Sequence, residues 1–545
     1  MRPRDLTRLA ATTHDVLVIG GGIYGLAIAY EAASRGLKTA LIDAADIGGG
    51  SSFNHQKTVH GGLRSLQSGS LRQAREAIRE RRAMARIAPW LLRSLPFIIG
   101  TYRSMTRSRL ALRAAFKIER WLARGGNEGV EPELHLPPPR LLSKAAVLRF
   151  FPGIRQDKLT GAAQWYDYQM VEADRLTLAF AAAADRAGAD VCNYVEAVAP
   201  IRSGATIAGM TARDALTGSD LTITARLVVN AAGAGAGAIM KSFGVGRTLP
   251  LLKAMNLVTT KPASDIALVA ASPAGRMLTL VPWRGRALVG TSQSATLVQP
   301  GDTSITTAEL DAFVADVNHA FPALRLAASD VTLVHRGVVP AAEGGKGVPE
   351  LRRSPAILDH AGEGAPGAFT VIGVKYTTAR RIAERTVDLA ARRLGKRVAP
   401  SRTATTVLPG AGIADHEALA IETDREVGLD LPMAGIRHLI GRYAERTADI
   451  VRLMHERPDL REPLTPGSST VAAEVVYTIR NEMAVRLSDI VIRRTGLGAS
   501  ARPDDETIRA AAKIAAAELQ WDADRMAGEV AAVQQFYALG AATSG

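Results

Sequence analysis

The stretch DVLVIGGGIYGLAIAYEAASRGLKTALIDA, residues 15–44, changes its hydrophobic rhythm twice. Four consecutive aliphatics at 16–19 predict a buried strand. After a glycine run, small and apolar residues recur at helical spacing, and a second apolar block at 38–42 ends on Asp43. Further along, the spacing predicts a helix at 175–187 and a strand at 190–198. Two alternating strands follow around a turn at 217–220 and lead into the apolar strand LVVNAAG. FTVIGVKYTTARRIAERTVDLAA reads as a strand, a turn at Gly373 and a long helix, while RMLTLVPW and RALVGTS read as strands. Beyond about residue 405 the period becomes helical and alanine-rich, as in GIRHLIGRYAERTADIVRLM and DETIRAAAKIAAAELQWDADRMAGEVAAVQQFY. No internal repeat interrupts this order.

A chain of 545 residues exceeds one ordinary core, so two or three structural units are expected. Apolar residues make up 47% and charged residues 22%, a balance that favours a folded protein over disorder. The single cysteine, Cys192, leaves no internal disulfide and no multi-thiolate metal centre, and no metal site is expected. MRPRDLTRLAATTHD lacks the apolar run of a secretion signal, and no window approaches the roughly 18 apolar residues of a membrane span. The expectation is a cytoplasmic protein, or one resting on the inner face of the cytoplasmic membrane.

The net charge of +14 is concentrated: residues 71–124 hold fourteen Arg or Lys against three acids. Trp90, Phe97, Tyr102, Phe116 and Trp121 lie in the same stretch among Leu and Ile, as in LLRSLPFIIGTYRSM. This mixture suits contact with lipid headgroups and acyl chains better than it suits nucleic acid, which is not expected as a partner. Solvated basic helix faces are the other meaning it can carry.

The glycine run has the form Gly20-x-Gly22-x-x-Gly25 between a strand and a helix, with Asp43 closing the second strand eighteen residues later. That combination fits a dinucleotide: the glycines allow a tight turn, close approach to a pyrophosphate and near contact of helix with strand. Asp43 is placed to accept from ribose hydroxyls. The run that follows, ADIGGGSSFNHQKTVHGGLR, is long, irregular and rich in Gly and Ser. Such a loop covers a large stationary cofactor, which favours FAD over NAD and makes Ser51, Ser52, Lys57, His60, Gly61 and Gly62 candidate cofactor ligands. The small residues Ala232 and Gly233 end a strand where the chain must approach a cofactor closely. Lys375 and Thr377, at the start of the long helix beyond Gly373, can meet the flavin end where negative charge builds up.

VIGGGIYG, KTVHGGLRSL, the strand-end NAAG, LVPWRGRALVGTS and IGVKYTTARRIAE resemble, in order and spacing, the motifs of FAD-dependent glycerol-3-phosphate dehydrogenases. Those enzymes belong to a wider group with the D-amino acid and sarcosine oxidases. EVVYTIRNEMAVRLSDIVIRRTGLG, residues 474–498, is similar to the family's helical cap. The resemblance implies an α/β fold with a Rossmann-like FAD domain of the glutathione-reductase and D-amino acid oxidase type. An interleaved mixed-sheet substrate cap and an all-helical C-terminal domain complete it. It implies hydride transfer from the secondary alcohol of sn-glycerol 3-phosphate, or a related polyol phosphate, to flavin N5, with electrons passed to quinone, in a membrane-associated bacterial enzyme for which a homodimer is also expected. Residues 1–75, 160–245 and 330–402 would form the FAD unit, 76–159 and 246–329 the cap, and 405–545 the helical domain.

Within that scheme Gly61-Gly62 turns the chain beneath the flavin, and Arg64 reaches the substrate cavity as a phosphate or oxyanion ligand, its planar fork matching phosphate oxygens. Arg64, Lys375 and His60 are the expected catalytic residues; His60 can equally be a turn histidine bonded to backbone. Three positions depart from the family pattern. Val339 stands where relatives place a substrate-binding arginine, with Arg336 three residues earlier as the nearest replacement. Asn256 stands where they place a histidine, and Gln293 where they place an aspartate. Asparagine cannot accept a proton at neutral pH, so the base must be found among His55, His60 and His335. His55 also raises a covalent flavin link. These departures keep two alternatives open: an amine or hydroxy-acid oxidase or dehydrogenase of the same group, and a flavin-binding scaffold without turnover.

Overall fold

A computed structural model describes residues 1–62, 70–103, 109–342, 349–411, 418–419 and 433–539. Its centre is a six-stranded sheet in the order Ala356–Asp359, Ala368–Ile372, Val228–Asn230, Val16–Ile19, Thr39–Ile42, Asp190–Cys192. The strands run parallel except for Ala356–Asp359, which pairs antiparallel with Ala368–Ile372. Both faces of Val16–Ile19 are covered, which explains its unbroken apolar run. Val16 and Val18 pack with the helices Ile23–Ser34, Ala173–Arg186 and Ala379–Leu394. Leu17 and Ile19 pack with an antiparallel three-stranded sheet, Val195–Ser203, Thr206–Asp214 and Asp220–Thr224. The strand expected at 190–198 is divided: Tyr194 has φ +55°, and the chain crosses there from one sheet to the other.

A nine-stranded sheet forms the second layer. Its order is Val331–Pro340, Leu251–Thr259, Arg286–Gln293, Met277–Trp283, Ala267–Ala271, Leu92–Tyr102, Leu159–Met170, Thr58–Val59, with Arg140–Ser143 also on Leu159–Met170. Leu159–Met170 and Val331–Pro340, assigned to the first unit from their place in the sequence, pair here instead. Position along the chain does not record which sheet receives a strand; the cross-strand partners do, and those lie far off in sequence. The segment 91–102, expected from its aromatics to face lipid, is mostly the strand Leu92–Tyr102, with Leu95, Phe97 and Ile98 buried. Phe116 is buried too, and only Trp121 of the five aromatics stands well exposed, at 59%.

The C-terminal helices Met433–Tyr443, Thr447–Glu456, Ala472–Glu482, Asp505–Leu519 and Ala523–Tyr537 share one hydrophobic core with the nine-stranded sheet, through Phe97, Val258, Val281 and Leu333. A buried ion pair adds a second attachment. Asp46, just beyond the second strand, accepts from Arg494 Nη2 at 2.6 Å and Nη1 at 2.9 Å and from Arg493 Nε at 2.6 Å. Burial would raise the Asp46 carboxyl, but the two guanidiniums hold it below the usual carboxylate range.

Candidate active site

The glycine turn leaves Val16–Ile19 and enters Ile23–Ser34. Gly20 has φ +110°, and a Cβ there would lie 2.6 Å from the Ala231 carbonyl oxygen; a Cβ on Gly25 would lie 1.8 Å from that of Gly20. Strand, turn and helix are therefore as close as backbones can come. Gly22 faces Ser52, whose Oγ accepts from the Ile23 amide at 2.9 Å. Asp43 accepts from the Gly21 amide at 2.5 Å and the Ala45 amide at 2.7 Å, and burial lifts its carboxyl to about 6. On the neighbouring strand, Asn230 fixes the corner at Ala232 and Gly233: its Nδ2 donates to the Ala236 carbonyl at 2.9 Å and its Oδ1 accepts from the Ala232 amide at 3.2 Å.

Tyr24 joins this elbow to the corner after Ala368–Ile372. Its ring lies over Gly373, where a Cβ would come within 2.4 Å of it. The Tyr24 hydroxyl donates to the Lys375 carbonyl at 2.8 Å and accepts from the amides of Val374 at 3.2 Å and Lys375 at 3.3 Å. Two segments 350 residues apart thus meet on one hydroxyl. The corner continues into Thr377, whose Oγ1 accepts from the His60 amide at 3.3 Å and brings the third segment in.

His60 and Gly61 are anchored from beneath by Asp167, a buried residue on Leu159–Met170. Its carboxylate accepts from the Gly61 amide at 2.7 Å, meets His60 Nδ1 at 3.2 Å and accepts from Arg81 Nη1 at 2.6 Å. A Cβ on Gly61 would lie 2.1 Å from Arg81 Nη1. The Gly61-Gly62 pair therefore makes room for the Arg81 guanidinium and the helix Leu71–Ile87 that carries it. Burial opposes ionisation of Asp167, and His60 and Arg81 together hold it below the usual range. Arg64 lies outside the described residues.

The loop from Ser51 to Lys57 runs along the free edge of Val331–Pro340: Ser51 Oγ donates to the Val338 carbonyl at 3.0 Å and the Arg336 amide to Asn54 Oδ1 at 2.9 Å. Lys57 is fully buried; its Nζ donates to the Phe53 carbonyl at 2.5 Å and sits 4.5 Å from the Phe53 ring centre, and desolvation lowers it to about 8. Asn256 pairs across the sheet with His335, and its Oδ1 accepts from the Thr291 hydroxyl at 2.8 Å. Both ring nitrogens of His335 and Nε2 of His55 are buried without a partner among the described residues, and burial pushes both imidazoles well below their ordinary range. Arg336 is engaged elsewhere: its Nη2 donates to the Phe536 carbonyl at 2.9 Å. Gln293 donates to the Pro349 carbonyl at 2.7 Å, and Val339 carries no charge to offer.

The close-packed elbow, the carboxylate ending the second strand and the orphaned His55 nitrogen fit an FAD lying from Asp43 towards Lys375. Tyr24, Asp167 and Arg81 went unsingled in the sequence. Tyr24 occupies a variable position of the glycine fingerprint, while Asp167 and Arg81 sit in a strand and a basic helix that gave no sign of meeting.

Comparison with known proteins gives the family and the fold. The family described as FAD dependent oxidoreductase matches residues 15–389, and the C-terminal domain of alpha-glycerophosphate oxidase matches residues 401–526. A glycerol-3-phosphate dehydrogenase of Synechocystis sp. is 31% identical, over 91% of this chain and 90% of that protein. One of Mycobacterium leprae is 30% identical, over 96% and 88%. The crystal structure of the glycerol-3-phosphate dehydrogenase from Bacillus halodurans complexed with FAD superposes with a TM-score of 0.76 at 22% identity, covering 98% of this chain and 96% of that one, a likeness of fold. With its FAD-binding core, mixed sheets and helical C-terminal domain, the chain belongs to the family of FAD-dependent glycerol-3-phosphate dehydrogenases.

Proposed function

We propose that this enzyme oxidises the secondary alcohol of sn-glycerol 3-phosphate, or of a closely related polyol phosphate, and delivers the electrons to a quinone. The observation that supports the reading is the junction at Tyr24, which links the dinucleotide elbow to the Lys375 corner and, through Thr377, to the His60 loop. Gly20, Gly22 and Asp43 would hold FAD at one end and Gly61, Lys375 and Thr377 at the other, and the bound FAD would supply the two-electron acceptor. Around it, Arg64 binds the substrate phosphate and Lys375 adds positive charge where the alkoxide develops. His60 accepts the hydroxyl proton at Nε2, where the substrate hydroxyl takes the place of the Thr58 hydroxyl that lies 2.9 Å away. Asp167 turns its Nδ1 and stabilises the imidazolium that results, the role a carboxylate plays behind any histidine base.

Val339, Asn256 and Gln293 remove one positive charge, one imidazole and one carboxylate from the positions where relatives hold them, and Arg336 is committed to Phe536. The substrate site is therefore less charged than the family pattern, which favours a larger or differently charged polyol derivative. The same missing arginine supports a second reading, an amine or hydroxy-acid dehydrogenase of the wider group. Peripheral membrane contact is supported by Leu110, Ile118 and Trp121, exposed on one side of Arg109–Leu122. No described helix is long and apolar enough to cross a membrane.

A turnover assay with an artificial electron acceptor and a panel of polyol phosphates, hydroxy acids and amines separates the two readings. A polyol phosphate should be the best substrate. Arg64→Ala should keep its flavin and lose about 100-fold or more in kcat/KM, on the scale of one charge-assisted phosphate contact. Preference for an amine, or equal rates in variant and parent, would contradict the proposal.

A further inference from the structure

A cavity of about 440 Å³ lies on the basic side of the molecule, between Leu71–Ile87, the end of Arg109–Leu122 and Ala379–Leu394. Arg72, Arg75 and Arg79 enter it from the first helix at spacings of three and four, so they share one face. Arg381 and Arg385, four apart, enter from the helix opposite. We propose that this cavity is a binding site for a phosphate-bearing anion, apart from the active site.

Three observations support it. Among the described residues, Arg72, Arg75, Arg79 and Arg385 have no carboxylate or hydrogen-bond acceptor as partner, whereas most other arginines near them do. The acids in the wall do not balance them. Glu80 is spent on a buried bidentate pair with Arg380, at 2.6 and 2.8 Å, and Glu76 alone remains. Arg72, Arg75, Arg79 and Arg385 are exposed, but two helices turn them towards one concave space instead of spreading them over a convex surface, and an anion there would offset several of them at once. Planar guanidinium forks converging from two sides match the oxygens of a phosphate. Trp121, exposed by 59%, and Leu71, exposed by 52%, add apolar surface to the lining beside the charges. The volume suits a small molecule or one lipid headgroup. Arg81, which anchors the His60 loop, leaves Leu71–Ile87 about half a turn round from Arg72, so the two sites occupy opposite sides of one helix.

Equilibrium dialysis of the FAD-loaded full-length protein with pyrophosphate, and sedimentation with vesicles of phosphatidylglycerol against phosphatidylcholine, test the assignment. At least one anionic probe should bind saturably, and its affinity should fall about tenfold or more in the double variant Arg75→Glu, Arg79→Glu and in Arg385→Gln, at unchanged flavin content. Binding of pyrophosphate identifies a free anion as the source; phosphatidylglycerol binding that pyrophosphate does not displace identifies a headgroup, and each result supports the site. Absence of saturable binding to the parent, or equal binding in parent and variants, overturns it. Loss of alcohol oxidation with anion binding intact would count against the proposed function and leave this site standing.

Discussion

At the scale of single residues, Asp43 is caught between two demands. As the proposed ribose ligand its carboxylate accepts more strongly when ionised, yet burial lifts it from 3.8 to about 6. In the cofactor-free protein a carboxyl raised in this way contributes stability below about pH 4 that is lost as pH rises through 6. Cofactor donors favour the ionised form, so flavin affinity should weaken as pH falls below 6, by up to about tenfold per unit. Asp43→Asn should bind flavin more weakly but with the same constant from pH 5 to 8, as measured by fluorescence titration of apoprotein. An unchanged pH slope in the variant would remove Asp43 from the flavin site. Lys57 shows the reverse outcome. Read from sequence as a cofactor ligand, it is buried on the Phe53 carbonyl beside the Phe53 and Trp283 rings, and that burial lowers it to about 8. Nothing in the string KTVHGG distinguishes a lysine facing a cofactor from one turned into the core.

At the scale of elements, the decisive contact is a helix holding a loop. Tyr24→Phe keeps the ring over Gly373 and removes only the oxygen, leaving the Val374 and Lys375 amides without their partner. The expected cost is about 1–3 kcal/mol of local stability, visible as faster amide exchange at 374–375 and as weaker flavin retention on dialysis. Unchanged exchange there would show that the corner is held by something else. Elements defined by their own backbone were legible in advance. The Gly20, Gly22 and Gly25 pattern was readable because each glycine answers to a neighbour within a few residues or to the strand alongside. The long helix after Gly373 announced itself in the same way. Elements defined by remote partners were not. The Asp167 to Gly61 bond spans 106 residues, and the fate of Leu92–Tyr102 depended on Leu159–Met170 arriving beside it. Aromatics among arginines look alike in a membrane face and in a half-buried strand.

At the scale of the whole molecule, the helical C-terminal part is fastened to the FAD unit as well as to the sheet it covers. Asp46, three residues past Asp43, receives both Arg493 and Arg494 in a site closed to solvent. Asp46→Asn takes the carboxylate from the buried Arg494, while Arg493 keeps Asp489 at 2.8 Å; the change should cost about 3 kcal/mol, lowering the urea midpoint and loosening flavin at the adenosine end. A midpoint shift without flavin loss would mean that the fastening serves stability alone. Charge on this scale is also uneven, since the basic stretch and its arginine-lined cavity lie on the far side of Leu71–Ile87 from the His60 loop. The proposed membrane contact and anion site there should be alterable without touching the oxidation chemistry.

The central claim is that a carbon–hydrogen bond of a polyol phosphate is brought against FAD held between the glycine elbow and the Lys375 corner. Anaerobic mixing of the purified protein with sn-glycerol 3-phosphate, followed in the visible flavin bands, tests it most directly. The flavin should bleach in a single turnover and recover its colour when a quinone is added. A flavin that dithionite reduces but no polyol phosphate does would contradict it.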